Sequence, residues 1–300
     1  MTYKIDIAII GAGAWGNALQ AAIGRAGPGT TLVGRGLEQQ RNAVAGADAL
    51  LLVVPAQTIR GVLQGLADSI DPALPILICA KGVERETGDL LPEVVAEVLP
   101  HNPVGMLSGP NFAGEVARGL PAAAVLAVDP LENAEYWAAA LGSPAFRLYA
   151  SDDVVGVALG GAMKNVLAIA AGAVTGAGLG LNARAAVISR GLAELRRLGR
   201  AIGARDETLA GLSGLGDLVL SCTDETSRNF AFGAALGRDG DLPDVLVEGV
   251  HSVEPLVQRA AALGVELPIA MAVHEVLHLG TPLRQAVADL LARPVGAAEN

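Results

Sequence analysis

The chain predicts an α/β N-terminal domain built on a doubly wound, mainly parallel sheet, followed by an all-α C-terminal domain. Three observations carry that prediction. The sequence opens as strand, glycine turn and helix; β-rich runs alternate with helical segments up to about residue 150; after Ser151 the β-rich runs stop.

In chain order, residues 4–10 form an isoleucine-rich run that ends in Gly11-Ala12-Gly13-Ala14-Trp15-Gly16 and continues as an alanine-rich helix to about Arg25. Further strands are expected at Thr30–Val33, Ala49–Val54, Pro75–Cys79, Val104–Leu107, Ala122–Val128 and Phe146–Tyr149. Helices are expected near 153–175, 182–203, 227–237, 250–263, 269–279 and 282–292. Residues 1–150 are thereby read as a dinucleotide-binding domain and 151–300 as an all-helical substrate and catalytic domain.

Composition narrows the function classes. With 52% apolar and 17% charged residues the chain is globular rather than disordered, and its net charge of -10 argues against nucleic acid as a partner. Charged or polar residues interrupt the apolar stretches before the ~20 residues of a membrane span, and Met1–Ile10 carries no cleavable signal pattern, so a cytoplasmic protein is expected. Cys79 and Cys222 have neither disulfide-framework nor zinc-ribbon spacing, and no metal is expected. The chain writes its cations almost entirely as Arg and keeps only Lys4, Lys81 and Lys164; the last two sit in glycine-rich or apolar surroundings. A compact ammonium group there suits chemistry that guanidinium, fixed in its charge, does not.

GxGxxG alone is weak, but here it opens from a strand and leads into a helix, the context of a Rossmann-type dinucleotide site. Gly11 permits the tight turn, Gly13 lets backbone approach a pyrophosphate and Gly16 lets helix pack on strand; Ala14 and Trp15 complete the cofactor turn. The second strand ends in Val33-Gly34-Arg35, where an NAD-selective site places Asp or Glu. Arg35 suits a 2′-phosphate, so NADP is favoured over NAD; the nearby Glu38 keeps NAD open, and a plain surface arginine is the bland alternative.

Four further motifs follow: Leu107-Ser-Gly-Pro-Asn-Phe-Ala-Gly-Glu115, Gly160-Gly-Ala-Met-Lys-Asn165, Gly211-Leu-Ser-Gly-Leu-Gly-Asp-Leu218 and Ser227-Arg228-Asn229. With the glycine turn and Lys81-Gly82 they resemble the bacterial NAD(P)-dependent glycerol-3-phosphate dehydrogenases over nearly the whole chain. The resemblance implies an oxidoreductase interconverting dihydroxyacetone phosphate and sn-glycerol 3-phosphate, supplying glycerophospholipid synthesis. It also implies a homodimer. Hydride reduction of a ketone leaves an alkoxide that needs a proton donor, and Lys164 is the residue assigned to it. Two glycines one turn earlier on its helix are expected to leave space for the substrate. Asn165 and Asp217 would orient the ammonium group and the substrate hydroxyl, and Lys81 would stabilise the oxyanion at the substrate and nicotinamide side.

Ser227, Arg228 and Asn229 offer a hydroxyl, a guanidinium fork and an amide for a substrate phosphate, with Ser227 also a candidate helix cap. By resemblance Gly109 and Asn111 belong to the substrate loop. Ala113 and Glu248 are read as cofactor contacts, with Lys81 and Arg228 shared between cofactor and substrate.

The chain departs from the family pattern between Arg35 and Val53, where only Gly36–Ala47 stands in place of a longer insert. The third strand of the nucleotide-binding half is therefore expected to be missing, leaving Thr30–Val33 at the sheet edge and the adenosine side open. Ser221, where many relatives have Thr, and Asn111, where many have Ser or Thr, are read as tolerated variants. His274-Glu275-Val276-Leu277-His278 matches HExxH, but no third zinc ligand follows, and the motif is read as a helix surface. Two rival readings are a related two-domain hydroxy-acid dehydrogenase and a catalytically inactive NAD(P)-binding regulatory protein.

Overall fold

The computed structural model describes residues 5–292, and the structural statements below concern these residues. They divide into two compact units: residues up to 81 together with 89–158, and residues 82–88 together with those from 159 onward.

The first unit is a seven-stranded sheet in the order β2-β1-β3-β4-β5-β6-β7. Its strands are β1 (Asp6–Ile10), β2 (Gly29–Val33), β3 (Ala49–Leu52), β4 (Ile76–Ile78), β5 (Val104–Ser108), β6 (Ala122–Val128) and β7 (Phe146–Ser151). The connecting helices are α1 (Ala14–Ala26), α2 (Leu37–Val44), α3 (Ile59–Leu66), α4 (Leu91–Val98), α5 (Ala113–Arg118) and α6 (Leu131–Leu141). Ile7, Ala8, Ile9 and Ile10 are all buried, as are Ala49 to Leu52 and Ile76 to Ile78. Such unbroken apolar runs are what central strands covered on both faces require. Helix α1 buries Ala18, Leu19, Ala22 and Ile23, the 3.6-residue stripe that packs on the sheet.

As expected, β2 is the edge strand: it pairs with β1 in parallel, Asp6 opposite Gly29 and Ile10 opposite Val33, and no strand lies beyond it among the described residues. The short segment after Arg35 forms α2 instead. The sheet is parallel from β2 through β5, but β6 runs antiparallel to β5, with Gly105 opposite Val128, and β7 is parallel to β6. Because β6 reverses direction beside β5, the β5–β6 connection stays at the carboxyl end of the parallel strands. Residues 109–121, including α5, therefore share that end with the turn after β1, where doubly wound sheets bind ligands.

The second unit is mainly helical; its helices are α7 (Val154–Gly176, whose first turn precedes the unit), α8 (Gly180–Ala201), α9 (Asp206–Ala210), α10 (Asp217–Thr223), α11 (Arg228–Gly237), α12 (Glu248–Ala262), α13 (Pro268–His278) and α14 (Leu283–Leu291). A π-helical turn, Leu212–Gly216, runs directly into α10. One expectation needs correction. Helix α7 is long and apolar enough to cross a membrane by length and composition, although 83% of its most apolar window is buried inside the fold. A core helix surrounded by other helices is apolar on every side for the same reason a membrane helix is.

Glycines set the closest approaches of α7. Gly172 and Gly176 face the backbone of α11, and Gly233 and Gly237 of α11 face the backbone of α7, at distances where any Cβ would collide. The two helices thus touch main chain to main chain, which fixes α11 along the C-terminal half of α7.

Candidate active site

In the first unit the glycine turn is built as its sequence implies. Gly11 adopts φ +120°, and a Cβ there would be driven into the Val53 carbonyl; one on Gly16 would meet the Gly11 carbonyl. Gly13 differs, since a Cβ on it would have nothing within 4 Å. Packing does not demand glycine at that position, so the open space is available to a ligand. Gly13 is also the N-cap of α1, with no side-chain cap and no acidic residue in the first turn, leaving the positive end of the helix for an anion. These features fit a dinucleotide pyrophosphate. Ala14 is exposed, while Trp15 packs against the core. Asn17, which the sequence reading passed over, ties the turn down by donating from Nδ2 to the carbonyls of Ala12 at 3.1 Å and Gly13 at 2.9 Å. Its position one helical turn after Gly13 was the available signal.

Arg35 follows the end of β2 between Gly34 and Gly36, and its exposed guanidinium has no partner among the described residues. Glu38 is exposed in the first turn of α2.

Lys81 follows β4 at the carboxyl end of the sheet, and its Nζ donates to the Gly109 carbonyl at 2.9 Å. Gly109 adopts φ +158° and lies so close to β6 that a Cβ would come 2.8 Å from Ala124 Cα. Asn111 donates from Nδ2 to the Ala123 carbonyl at 3.1 Å, which aims its Oδ1; that oxygen is buried and has no protein hydrogen-bond partner. An unmet buried acceptor is costly, and a bound polar group offsets the cost. Ala113 begins α5 just beyond.

In the second unit Lys164, from the middle of α7, donates from Nζ to Ser221 Oγ at 2.9 Å and stands 3.3 Å from Asp217 Oδ1. Ser221 in turn donates to Asp217 Oδ1 at 3.3 Å. The lysine side chain is 12% exposed and that of Asp217 1%. A carboxylate this near offsets the desolvation of an almost buried ammonium, and the hydroxyl between them fixes both. Gly160 explains how the cluster forms, and corrects the expectation that it leaves space for substrate. A Cβ on Gly160 would stand 2.5 Å from the Ser213 carbonyl, so this glycine lets the π-helical turn lie on α7 and sets Asp217 beside Lys164. Ser221, read as a tolerated variant, keeps the hydroxyl that links the two charges of the cluster.

Asn165, next to the lysine, accepts at Oδ1 from Asn229 Nδ2 at 2.9 Å, and Asn229 Oδ1 accepts from the Gly249 amide at 2.9 Å. The buried amide pair joins α7 and α11 to the first turn of α12, where Glu248 stands half-buried. Ser227 caps α11 by accepting from Phe230 N at 3.4 Å, and its neighbour Arg228 is exposed with no partner among the described residues. A free guanidinium beside a helix N-terminus is chemistry for an anion.

Cys222 lies buried beside this cluster; burial pushes its thiol up to about 12, against the opposing pull of Lys164, so it remains a protonated packing residue. The HExxH histidines share one face of α13 with ring centroids 5.3 Å apart, and His278 Nε2 lies 3.1 Å from the Val250 carbonyl.

Two family models match the chain. NAD-dependent glycerol-3-phosphate dehydrogenase N-terminus covers residues 35–134 and NAD-dependent glycerol-3-phosphate dehydrogenase C-terminus covers residues 153–288. A Bradyrhizobium sp. protein called glycerol-3-phosphate dehydrogenase [NAD(P)+] is 48% identical over 326 positions, covering 100% of each chain. A Chelativorans sp. protein of the same name is 45% identical, covering 98% of this chain and 99% of the relative. Among solved structures, glycerol-3-phosphate dehydrogenase from Coxiella burnetii superposes with a TM-score of 0.90 at 36% identity, covering 97% of this chain and 99% of the other. A ketopantoate reductase from Ralstonia eutropha shares the fold alone, with a TM-score of 0.60 at 18% identity.

Proposed function

The chain belongs to the NAD-dependent glycerol-3-phosphate dehydrogenase family, and from that premise we propose how its own residues perform the reaction. The protein is an NAD(P)-dependent oxidoreductase that interconverts dihydroxyacetone phosphate and sn-glycerol 3-phosphate. When bound, the nicotinamide supplies a hydride to the ketone carbon, or removes one in the reverse direction.

Lys164 is the proton donor. As the carbonyl π pair moves onto oxygen, an N–H bond of the ammonium breaks and the proton completes the secondary alcohol. Asp217 and Ser221 keep that ammonium in a fixed place, and Lys81 places a second positive charge for the developing oxyanion. Asn165 orients the substrate hydroxyl, and Gly109 and Asn111 line its loop. Arg228, with Ser227 and Asn229 at the start of α11, holds the substrate phosphate. On the cofactor side the turn Gly11–Gly16, with Ala14 and Trp15, receives the pyrophosphate, and Ala113, Glu248, Lys81 and Arg228 are further contacts. Residues 1–150 supply most of the dinucleotide contacts and 151–300 most of the substrate contacts.

The single observation that carries this reading is the Lys164–Ser221–Asp217 cluster, a nearly buried ammonium held by a carboxylate and a hydroxyl. It also separates the reading from an inactive NAD(P)-binding protein, which has no use for a cluster so costly to bury. A Lys164→Ala enzyme that binds cofactor but turns over at a small fraction of the wild-type rate is the expected test result; near-normal turnover removes Lys164 from the reaction.

We assign NADPH as the preferred cofactor because Arg35, exposed at the end of β2 and without a partner among the described residues, offers its guanidinium to a 2′-phosphate. A cytoplasmic location, a homodimer and a supply role in glycerophospholipid synthesis belong to the same proposal.

A further inference from the structure

We propose that Gln40 is a positioning residue for Arg35, and that through it the chain sets its preference between 2′-phosphorylated and unphosphorylated dinucleotides. This deepens the Arg35 reading and rests on it.

Little restrains the chain at this edge of the sheet. Among the described residues strand β2 has a hydrogen-bonded neighbour on one side only, and beyond its end Arg35 is flanked by two glycines, the second at φ +144°. Glycine restrains the backbone least of all residues, so a Gly-Arg-Gly turn does not hold an arginine in one place by itself. Packing gives little help. A Cβ on Gly34 would meet only Ala12 Cβ, at 3.6 Å, and an open groove of about 640 Å³ runs along β2 past Thr31, Val33, Gly34, Gln39 and Asn42.

Gln40 supplies the missing restraint. It lies in α2 with both sequence neighbours exposed, yet it is only 8% exposed, and its Nε2 donates to the Gly34 carbonyl at 2.8 Å. A buried primary amide on a short surface helix has a desolvation cost that this bond offsets. The helix is itself anchored. Arg41 donates from Nε and Nη2 to the Gly65 carbonyl near the end of α3, at 3.3 and 3.0 Å, and Val44 is buried. A continuous set of contacts therefore runs from α3 through Arg41 and α2 to Gln40, Gly34 and the base of Arg35.

The test compares wild type, Gln40→Met, Arg35→Ala and the double variant in equilibrium binding of NADPH and of NADH, read by nicotinamide fluorescence, and in steady-state reduction of dihydroxyacetone phosphate with each. Gln40→Met, which keeps the shape and removes the donor, is expected to raise KM for NADPH about fivefold, the size of one ordinary hydrogen bond. KM for NADH and both kcat values should move less than about twofold, and the substitution should add nothing in the Arg35→Ala background. An equal effect on both cofactors, no effect, or full additivity with Arg35→Ala overturns the role of Gln40. An Arg35→Ala enzyme with the wild-type NADPH/NADH ratio shows instead that the Arg35 reading itself is wrong, and this inference falls with it. Gln40→Glu gives an independent readout should the methionine variant fail to fold. Its carboxylate accepts but cannot donate to the Gly34 carbonyl at neutral pH, so the same selective NADPH defect is expected. A Gln40→Glu enzyme with the wild-type NADPH/NADH preference contradicts the proposal.

Discussion

Ser221 Oγ lies 2.9 Å from Lys164 Nζ and donates onward to Asp217 Oδ1 at 3.3 Å, so one hydroxyl couples the two charged members of the cluster. Replacing Ser221 by alanine leaves the ammonium and carboxylate in place but removes the group that fixes their mutual geometry. We expect kcat to fall about tenfold with little change in KM, and threonine to restore most of it. A Ser221→Ala enzyme with wild-type kcat would show that the hydroxyl is incidental.

Lys164→Ala removes the proton donor itself. A loss of about 10²- to 10⁴-fold in turnover is expected, with NADPH affinity, read by cofactor fluorescence, close to that of wild type. Weakened cofactor binding in step with turnover would point to a structural defect instead.

The glycine turn separates ligand space from packing. Gly13→Ala should leave the thermal midpoint within about 2 °C of wild type and raise KM for the cofactor, because its Cβ enters open space. Gly16→Ala should lower stability outright, because its Cβ meets the Gly11 carbonyl. Thermal unfolding of both variants, paired with cofactor titration, distinguishes these effects; a destabilised Gly13→Ala with normal cofactor KM would reverse the assignment.

Glu194 provides a pH signature in stability. Its carboxylate, buried in α8, accepts from the Ile269 and Ala270 amides at 2.6 and 3.2 Å at the start of α13, and burial raises its pKa to about 7 despite those bonds. The folded state thus binds this proton more tightly than the unfolded chain, where the pKa is near 4.5. The group's contribution to stability is greatest below pH 4.5 and is lost as pH rises to about 7. Glu194→Gln removes the titration, so raising pH from 5 to 8 should shift the stability difference in favour of the variant by up to about 3 kcal/mol. Denaturant unfolding at the two pH values checks this; a pH-independent difference would show that Glu194 is ionised throughout.

Much of this was legible in the sequence, for local reasons. Unbroken apolar runs marked the central strands, the glycine spacing marked the turn into α1, and long apolar helices marked the second unit. The brevity of Gly36–Ala47 was enough to place β2 at the edge. Short pieces escaped: α9, the π-helical turn and α10 are too brief for a periodic signal, and their positions depend on packing against α7 and α8. The use of Gly160 was misread because its neighbour in space, Ser213, is more than fifty residues away in sequence. The bond that Ser221 makes was hidden for the same reason, since its partner Lys164 is 57 residues away. The sequence shows which groups are present, whereas long-range packing decides which of them meet.

The most direct test of the central claim is oxidation of NADPH and NADH, followed at the nicotinamide absorbance, with dihydroxyacetone phosphate and with unphosphorylated dihydroxyacetone. Turnover that depends on the phosphate, and that loses this dependence in Arg228→Ala through a raised KM, is the predicted result. Equal turnover of both ketones, or none with either cofactor, would contradict the account.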